Sequence, residues 1–138
     1  MTRSPQIDQL RGQARRLLAE QRALVGTLLK LREQIGGTLV ERYVECRKVG
    51  CACREGQRHG PYFILSTRSA GRGGYAYLKR PQVAHARQLV QRHQGFQKGL
   101  RQLRRVNQEL VTVLRRYREA TTRLGERRLR ETAVETKA

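Results

Sequence analysis

The sequence predicts a mainly α-helical fold in which two long helices flank a small antiparallel β-sheet. Three observations predict it: an apolar heptad pattern near the N-terminus, a second one in the C-terminal half, and a stretch between them rich in β-branched and aromatic residues. The 138 residues include two Phe and no Trp, which is little material for one compact core. We therefore expect helical seams to provide much of the burial.

The first segment, residues 1–37, is predicted to be a coiled-coil helix over residues 5–35. Its seam residues follow one another in alternating steps of three and four, the spacing of a heptad repeat. They are Ile7, Leu10, Ala14, Leu17, Gln21, Leu24, Leu28, Leu31 and Ile35. Leu18 and Val25 widen the stripe, which suits packing against more than one neighbour. The Gly-Gly pair that starts at Gly36 predicts the end of the helix.

A second long helix is predicted over residues 81–125, again with alternating steps of three and four. The seam comprises Leu89, His93, Phe96, Leu100, Leu103, Asn107, Leu110, Leu114, Tyr117, Thr121 and Leu124. Gly95 and Gly99 weaken a helix, and they indicate a bend or a close approach to a partner. Asn107 either fixes the register of a paired seam or is a tolerated polar residue. Residues 126–138 continue no seam and are predicted to form a frayed basic tail.

The middle segment, residues 38–80, is predicted to form a β head of two or three antiparallel strands. Its β-branched and aromatic runs are residues 38–46, 61–67 and 75–78, and residues 69–74 have the composition of a turn. The two flanking helices then fold back on one another as an antiparallel stalk, or they exchange seams with a second copy of the chain.

All three cysteines lie within eight residues, and a histidine follows them. Cys46, Cys51, Cys53 and His59 form a Cys-x4-Cys-x-Cys-x5-His pattern. Three thiolates and one imidazole complete a tetrahedral zinc site and leave no position for water or substrate. A head of about forty residues has too small a core to fold without such a cross-link. The sequence therefore predicts a structural zinc ion bound by these four residues.

Other interpretations of the cysteines are a disulfide with one free thiol, or three incidental thiols. The odd number and the absence of a signal peptide disfavour the disulfide, and the tight clustering disfavours incidental thiols. His85 and His93 are interpreted as ordinary helix residues.

Residues 36–90 resemble a family of small, largely uncharacterised prokaryotic proteins. The resemblance rests on residues 38–46, on Cys51-Ala-Cys53 and on the His-Gly-Pro-Tyr motif at residues 59–62. Some members of that family are similar to segments associated with mobile elements. The resemblance implies the same four metal ligands, with Gly60, Pro61 and Tyr62 as a supporting turn, and it suggests DNA as a partner.

The charge of the chain is strongly positive and unevenly distributed. Thirty Lys and Arg, of which twenty-five are Arg, stand against eleven Asp and Glu, for a formal net charge of +19. No acidic residue occurs between Glu55 and Glu109, whereas a solvated helix normally alternates charges. A phosphate backbone would supply the missing negative charge. The candidate nucleic-acid contacts are Arg58, Arg68, Arg72, Lys79, Arg80, Arg87, Arg92, Lys98, Arg101, Arg104 and Arg105.

Aromatic residues of the predicted strands have two possible roles. Exposed, Tyr62, Tyr75 and Tyr77 would stack on unpaired bases; buried, they would form the small core of the head, which is the interpretation we favour for most of them. Arg68 and Arg72 lie on the predicted turn, where they would reach into a groove of the duplex.

We expect a cytoplasmic, non-catalytic accessory or regulatory protein that binds nucleic acid, with double-stranded DNA favoured over RNA. Its helices would mediate homodimerisation or contact a coiled-coil partner. A different possibility is an interaction module that docks an acidic protein. The sequence contains no acid pair, nucleophile–base arrangement or phosphate-binding loop, so neither an enzyme nor a small-molecule substrate is expected. No run approaches the length of a membrane span.

Overall fold

A computed structural model describes residues 4–30, 32–69 and 72–137, without the side chains of residues 54, 69, 72, 136 and 137. The chain is mainly helical with a three-stranded antiparallel sheet, as the sequence predicts. Its elements are α1 (Pro5–Leu29), β1 (Gly37–Val44), a short 3-10 helix (Ala52–Glu55), β2 (His59–Ser69), β3 (Arg72–Leu78) and α2 (Arg80–Lys137). No helix within the described residues is both long and apolar enough to cross a membrane.

The chain divides into two compact units. The helical unit consists of Met1–Lys30 and Gly99–Ala138, and the sheet unit consists of Leu31–Lys98. Helix α2 contributes its first nineteen residues to the sheet unit and the remainder to the helical unit. These boundaries differ from the segments expected from the sequence, because the second long helix belongs to both units.

In the helical unit, α1 packs antiparallel against the later part of α2. The side-chain amide of Gln21 donates a 2.7 Å hydrogen bond to Asn107 Oδ1, and Arg11 Nε donates one of 3.3 Å to the Tyr117 hydroxyl. Gln21 and Asn107 are polar residues of the two predicted seams. The buried residues of the unit include Ile7, Leu10, Leu28, Val106 and Val113. The two seams therefore pair within one chain.

Helix α1 is shorter than the predicted 5–35, since it ends at Leu29. Leu31 lies outside the described residues, and residues 32–36 are not helical. The backbone N–H of Ile35 donates a 3.1 Å hydrogen bond to the carbonyl of Leu89 instead of to a helical neighbour. The segment after α1 therefore pairs with the first part of α2 at Ile35 and does not continue the helix.

Helix α2 is longer than predicted, because it continues from Gly125 to Lys137 where a frayed tail was expected. The added residues are mostly Arg, Glu, Leu and Ala, which favour helices, and no proline interrupts them. A solvated helix needs no seam if its residues have good intrinsic propensity and the preceding turns are already formed.

The seam of α2 is also rotated from the predicted one. Val106 and Val113 are buried, whereas Leu100 and Leu114, which the heptad pattern assigned to the seam, are 40% and 48% exposed. Gly99 explains part of the shift: a Cβ at this position would lie only 2.5 Å from Leu28 Cδ2. Of the two expected alternatives, a bend or a close approach, Gly99 shows a close approach to α1, whereas nothing lies within 4 Å of a Cβ at Gly95.

The sheet has the order β1-β2-β3, and both pairs are antiparallel. Leu65 of β2 is buried, as are Val83, Ala86 and Val90 on the first part of α2. These residues form the small core of the sheet unit. Leu39 and Phe63 line a cleft with Val90, which identifies the face of the sheet that packs on α2.

Candidate metal centre and basic surface

The connection between β1 and β2 brings the cysteines together. Cys46 follows the end of β1, and Cys53 lies in the 3-10 helix. Gly50 and Gly56 bracket Cys51 and the short helix with φ values of +85° and +111°, in the left-handed region that glycine adopts at little cost. These two conformations reverse the chain direction within the loop, which lets its cysteines approach one another.

A β-bulge sets the position of the histidine. Val44 pairs with His59 and Arg42 with Tyr62, so Gly60 and Pro61 together stand opposite a single residue of β1. Gly60 has φ +144°, and a Cβ there would lie 2.8 Å from the carbonyl oxygen of Arg42. The extra residue places His59 beside the end of β1, next to the cysteine loop.

The four predicted ligands converge. Cys46 Sγ lies 3.4 Å from Cys53 Sγ, and Cys51 Sγ lies 3.2 Å from His59 Nε2. All four ligand atoms lie within 4.8 Å of one another. Bond lengths of about 2.3 Å for sulfur and 2.0 Å for nitrogen correspond to tetrahedral edges of roughly 3.5–3.8 Å. The cluster is therefore within metal-binding distance, and its three cysteines are free thiols without a disulfide.

The environment of the cluster favours a thiolate at Cys51. Hydrogen bonds from the backbone N–H of Cys53, and then from the side chains of Cys46 and His59, lower the pKa of the Cys51 thiol to about 6. At Cys46 the backbone N–H of Lys48 acts to lower the pKa, but the neighbouring sulfurs outweigh it and the pKa is raised. Since the thiolate is the ligand form of cysteine, the cluster suits a cation.

The model of one protein family, described as a domain of unknown function (DUF6788), matches residues 7–88. The chain belongs to the DUF6788 family. The DUF6788 match includes α1, the whole sheet and all four residues of the cluster, which agrees with the resemblance found at residues 36–90 and extends it to the first helix. Most of α2 lies beyond it. No curated protein and no solved structure matches the chain.

Two of the predicted nucleic-acid contacts, Arg58 and Arg92, form ion pairs with glutamates of the DUF6788 chain itself. Arg58 Nε lies 3.8 Å from Glu45, and both side chains are largely exposed. Arg92, only 24% exposed, donates a 3.2 Å hydrogen bond to the carbonyl of Glu33 and lies 3.6 Å from its carboxylate. Arg92 therefore holds the segment before β1 onto α2, a role that the one-dimensional charge pattern did not indicate.

The other predicted contacts are distributed over both units. Of the predicted contacts in the sheet unit, five are exposed and form no ion pair among the described residues: Arg68, Lys79, Arg80, Arg87 and Lys98. The predicted contacts in the helical unit, Arg101, Arg104 and Arg105, are also exposed. The side chain of Arg72 lies outside the described residues. Arg42, which the sequence did not single out, is exposed on β1.

The favoured interpretation of the tyrosines as core is wrong. Tyr75 is 81% exposed, Tyr77 73% and Tyr62 44%. The alternation of tyrosine with alanine in β3 places both rings on one face, and that face is not the one packed on α2. The alternation in the sequence predicts that Tyr75 and Tyr77 share one face of the sheet. It does not predict which face of the sheet α2 covers.

Proposed function

We propose that the protein binds nucleic acid through the basic surface of the sheet unit, and that a structural zinc ion holds this unit in shape. Residues 31–98 contain thirteen basic and four acidic residues. The five predicted contacts of this unit that are exposed and form no ion pair carry the proposal, because no acidic side chain among the described residues lies close enough to pair with them. A phosphate backbone would do so and would release counterions on binding.

Duplex DNA is the polyanion that the sequence pattern favours, and RNA is the alternative. A prokaryotic source and a mobile-element association are suggested only by the family resemblance. An accessory or regulatory role, without catalysis, fits a cluster whose four ligands would saturate a tetrahedral ion.

Zinc is the metal that fits the donor set best. Three sulfurs and one imidazole nitrogen suit a borderline-soft ion with tetrahedral preference, and they disfavour magnesium or calcium, which select oxygen. A zinc ion bound by all four residues would act as a cross-link between the end of β1, the loop and the start of β2. Its binding energy would then contribute directly to folding of the sheet unit.

Metal analysis of the purified chain tests this part of the proposal. We expect about one zinc per chain, and we expect Cys51→Ser to lose it, because one thiolate fewer opens the site. A chelator should lower the melting temperature of the wild type and leave that of Cys51→Ser unchanged. Wild-type protein that contains no metal and melts at the same temperature with and without chelator would contradict the zinc assignment.

Salt dependence tests the binding itself. If five bases contact phosphates, the affinity for duplex DNA should fall roughly 10²–10³-fold between 50 and 200 mM salt. Fluorescence anisotropy with a labelled duplex measures this slope. Absence of binding to duplex DNA, single-stranded DNA and RNA at 50 mM salt would refute the proposed function.

Matched charge reversals locate the interface. Arg80→Glu with Arg87→Glu changes the sheet unit, and Arg15→Glu with Arg22→Glu changes the net charge equally in the helical unit, with the same seven-residue spacing. We expect the first pair to weaken binding at least about 10-fold more than the second. A third variant with Arg101, Arg104 and Arg105 changed to Glu measures the share of the predicted helical cluster. If both double variants lost the same affinity, binding would depend on net charge alone, and the sheet unit would not be the interface.

The helical unit supports a second activity, self-association. Leu18 and Val25 flank Gln21 on α1, and Leu100, Val111 and Leu114 surround Asn107 on α2; all five are between 37% and 48% exposed. Since Gln21 and Asn107 are hydrogen bonded, these apolar residues share one side of the helix pair. We propose that a second copy covers this side, as the homodimer expected from the sequence requires.

A further inference from the structure

The register of the sheet determines which side chains share its open face. Directly opposed residues of antiparallel strands point to the same side. Tyr75 pairs with Ser66 and Tyr77 with Ile64, while Ile64 pairs with Val40 across the other edge. The residues of this face are Thr38, Val40, Arg42, Tyr62, Ile64, Ser66, Arg68, Tyr75 and Tyr77. We call it the tyrosine face.

The tyrosine face is open to solvent. Three of the five tyrosines in the chain lie on it, and Tyr75 and Tyr77 retain most of their surface. Its central aliphatic residue, Ile64, is 8% exposed, whereas the rings around it are not covered. The hydroxyl groups of these three tyrosines form no hydrogen bond within the described part of the chain. The rings are therefore available for a ligand.

Positive charge borders the rings. Arg42 and Arg68 are exposed, and neither pairs with an acid among the described residues. The paired strand residues of the tyrosine face include no Asp or Glu, whereas the opposite face carries Glu41. Aromatic rings flanked by unpaired guanidinium groups recognise ligands that have both π faces and phosphates.

We propose that the tyrosine face is a stacking platform for single-stranded nucleic acid, with Tyr75 and Tyr77 as base-stacking residues and Arg42 and Arg68 as phosphate contacts. The inference rests on the proposed function and specifies its ligand as unpaired. Open sheet faces with two or three exposed aromatics bind single strands in this way in other nucleic-acid-binding folds.

Spacing favours unpaired over paired bases. Tyr75 and Tyr77 are two residues apart on one strand, so their rings are about 7 Å apart. Bases of a duplex are stacked at about 3.4 Å and leave no π face free for a ring. An unstacked strand can place successive bases on successive rings. The duplex preference expected from the sequence is therefore revised for this face.

Anisotropy titrations of the full-length, metal-loaded chain test the platform. The probes are labelled 12-mers of deoxythymidine and of uridine, and a mixed-sequence 12-base-pair duplex, at 100 mM salt. We expect either single strand to bind at least about 10-fold more tightly than the duplex. The difference in affinity between the deoxythymidine and uridine 12-mers shows whether DNA or RNA is preferred. Tyr75→Ala with Tyr77→Ala should lose at least about 10-fold for single strands and less than about 3-fold for the duplex.

Two control variants distinguish stacking from other roles of tyrosine. Tyr75→Phe with Tyr77→Phe keeps the rings and should bind single strands within about 2-fold of wild type. Tyr43→Ala removes a tyrosine that is 49% exposed and directed toward Glu41 on the opposite face, and it should also bind normally. Because the chain has no Trp, quenching of tyrosine emission by the single strand reports stacking directly, and it should be lost in the double alanine variant.

The outcomes separate the two proposals. Single-strand binding that is unaffected by the double alanine variant, or that is as weak as duplex binding, overturns the platform and leaves nucleic-acid binding intact. Equal losses in the Phe and Ala variants also overturn stacking. Failure to bind any of the probes even at 50 mM salt refutes the proposed function itself.

Discussion

Gly60, next to His59 of the Cys/His cluster, has a tightly constrained backbone position. It combines a φ of +144° with a backbone neighbour, the Arg42 carbonyl, that leaves no room for a Cβ. Both constraints arise from the bulge that directs His59 to the cysteines. A side chain at this position therefore affects the fold and the ligand geometry together.

We expect Gly60→Ala to lower the free energy of unfolding by about 3 kcal/mol, from a strained φ and a backbone clash. Urea denaturation of the metal-loaded protein measures the loss, and metal content measures the displacement of His59. Gly73→Ala is the matched control, since nothing lies within 4 Å of a Cβ there, and it should change stability by less than about 0.5 kcal/mol. Equal effects of the two changes would argue against the bulge as the critical feature.

The clustering of the three cysteines with His59 was predictable from the sequence, whereas the contacts of the basic residues were not. Cysteine clustering is local in sequence, and few alternatives explain three thiols within eight residues. The pairing of Arg92 with Glu33 joins residues far apart in the chain, and no local pattern specifies it. Exposure of Tyr75 and Tyr77 likewise depends on which face α2 covers.

Among the elements, the contact between α1 and α2 depends on Gly99. Leu28 fills the space above this glycine, which allows the helices to approach closely. Glycine elsewhere in α2 has no such function: nothing lies within 4 Å of a Cβ at Gly125. A substitution at Gly125 therefore tests helix propensity alone, whereas one at Gly99 tests propensity and packing together.

Gly125→Ala should raise the stability of the helical unit by up to about 1 kcal/mol, through propensity alone. Gly99→Ala gains the same propensity but displaces Leu28, and overpacking of this kind costs about 1–3 kcal/mol. We expect the net effect of Gly99→Ala to be a loss of about 1 kcal/mol in urea denaturation. If both variants were equally stabilising, the close approach would not contribute to packing.

Helix α2 also shows what heptad patterns cannot determine. Leu103, Leu110 and Tyr117 belong to two adjacent apolar stripes, one completed by Leu100 and Leu114 and the other by Val106 and Val113. Leucine buries more apolar surface than valine, so the heptad pattern assigned the stripe with Leu100 and Leu114 to the seam. Close packing at Gly99 selects the second stripe, and the sequence spacing is the same for both.

At the scale of the whole molecule, the apolar stripe of α2 that does not pack on α1 is exposed to solvent. Packing of α1 on α2 within one chain buries Ile7, Leu10 and Leu28 of α1. It leaves five apolar residues exposed: Leu18, Val25, Leu100, Val111 and Leu114. The expectation that Leu18 and Val25 suit a second neighbour stays a prediction, and their exposure favours it. Dimerisation would bury these residues without any exchange of helices.

Light scattering coupled to size exclusion tests the dimer. We expect a mass of about twice 16.0 kDa for the wild type and of 16.0 kDa for Val111→Glu with Leu114→Glu, because two buried charges oppose association. The control Gln9→Glu with Gln13→Glu adds the same charge in a groove of the helical unit that is shared with Arg116 and contains none of the interface residues, and it should remain dimeric. A monomeric wild type at micromolar concentration would exclude the proposed interface.

The loop from Cys46 to His59 has a consequence for proteolysis of the protein. The stretch connects β1 to β2 and contains the exposed bases Arg47, Lys48 and Arg58. A bound ion would cross-link this stretch, and its removal would leave the basic residues accessible to trypsin. We expect trypsin to cut the metal-free chain there first, and added zinc to protect it.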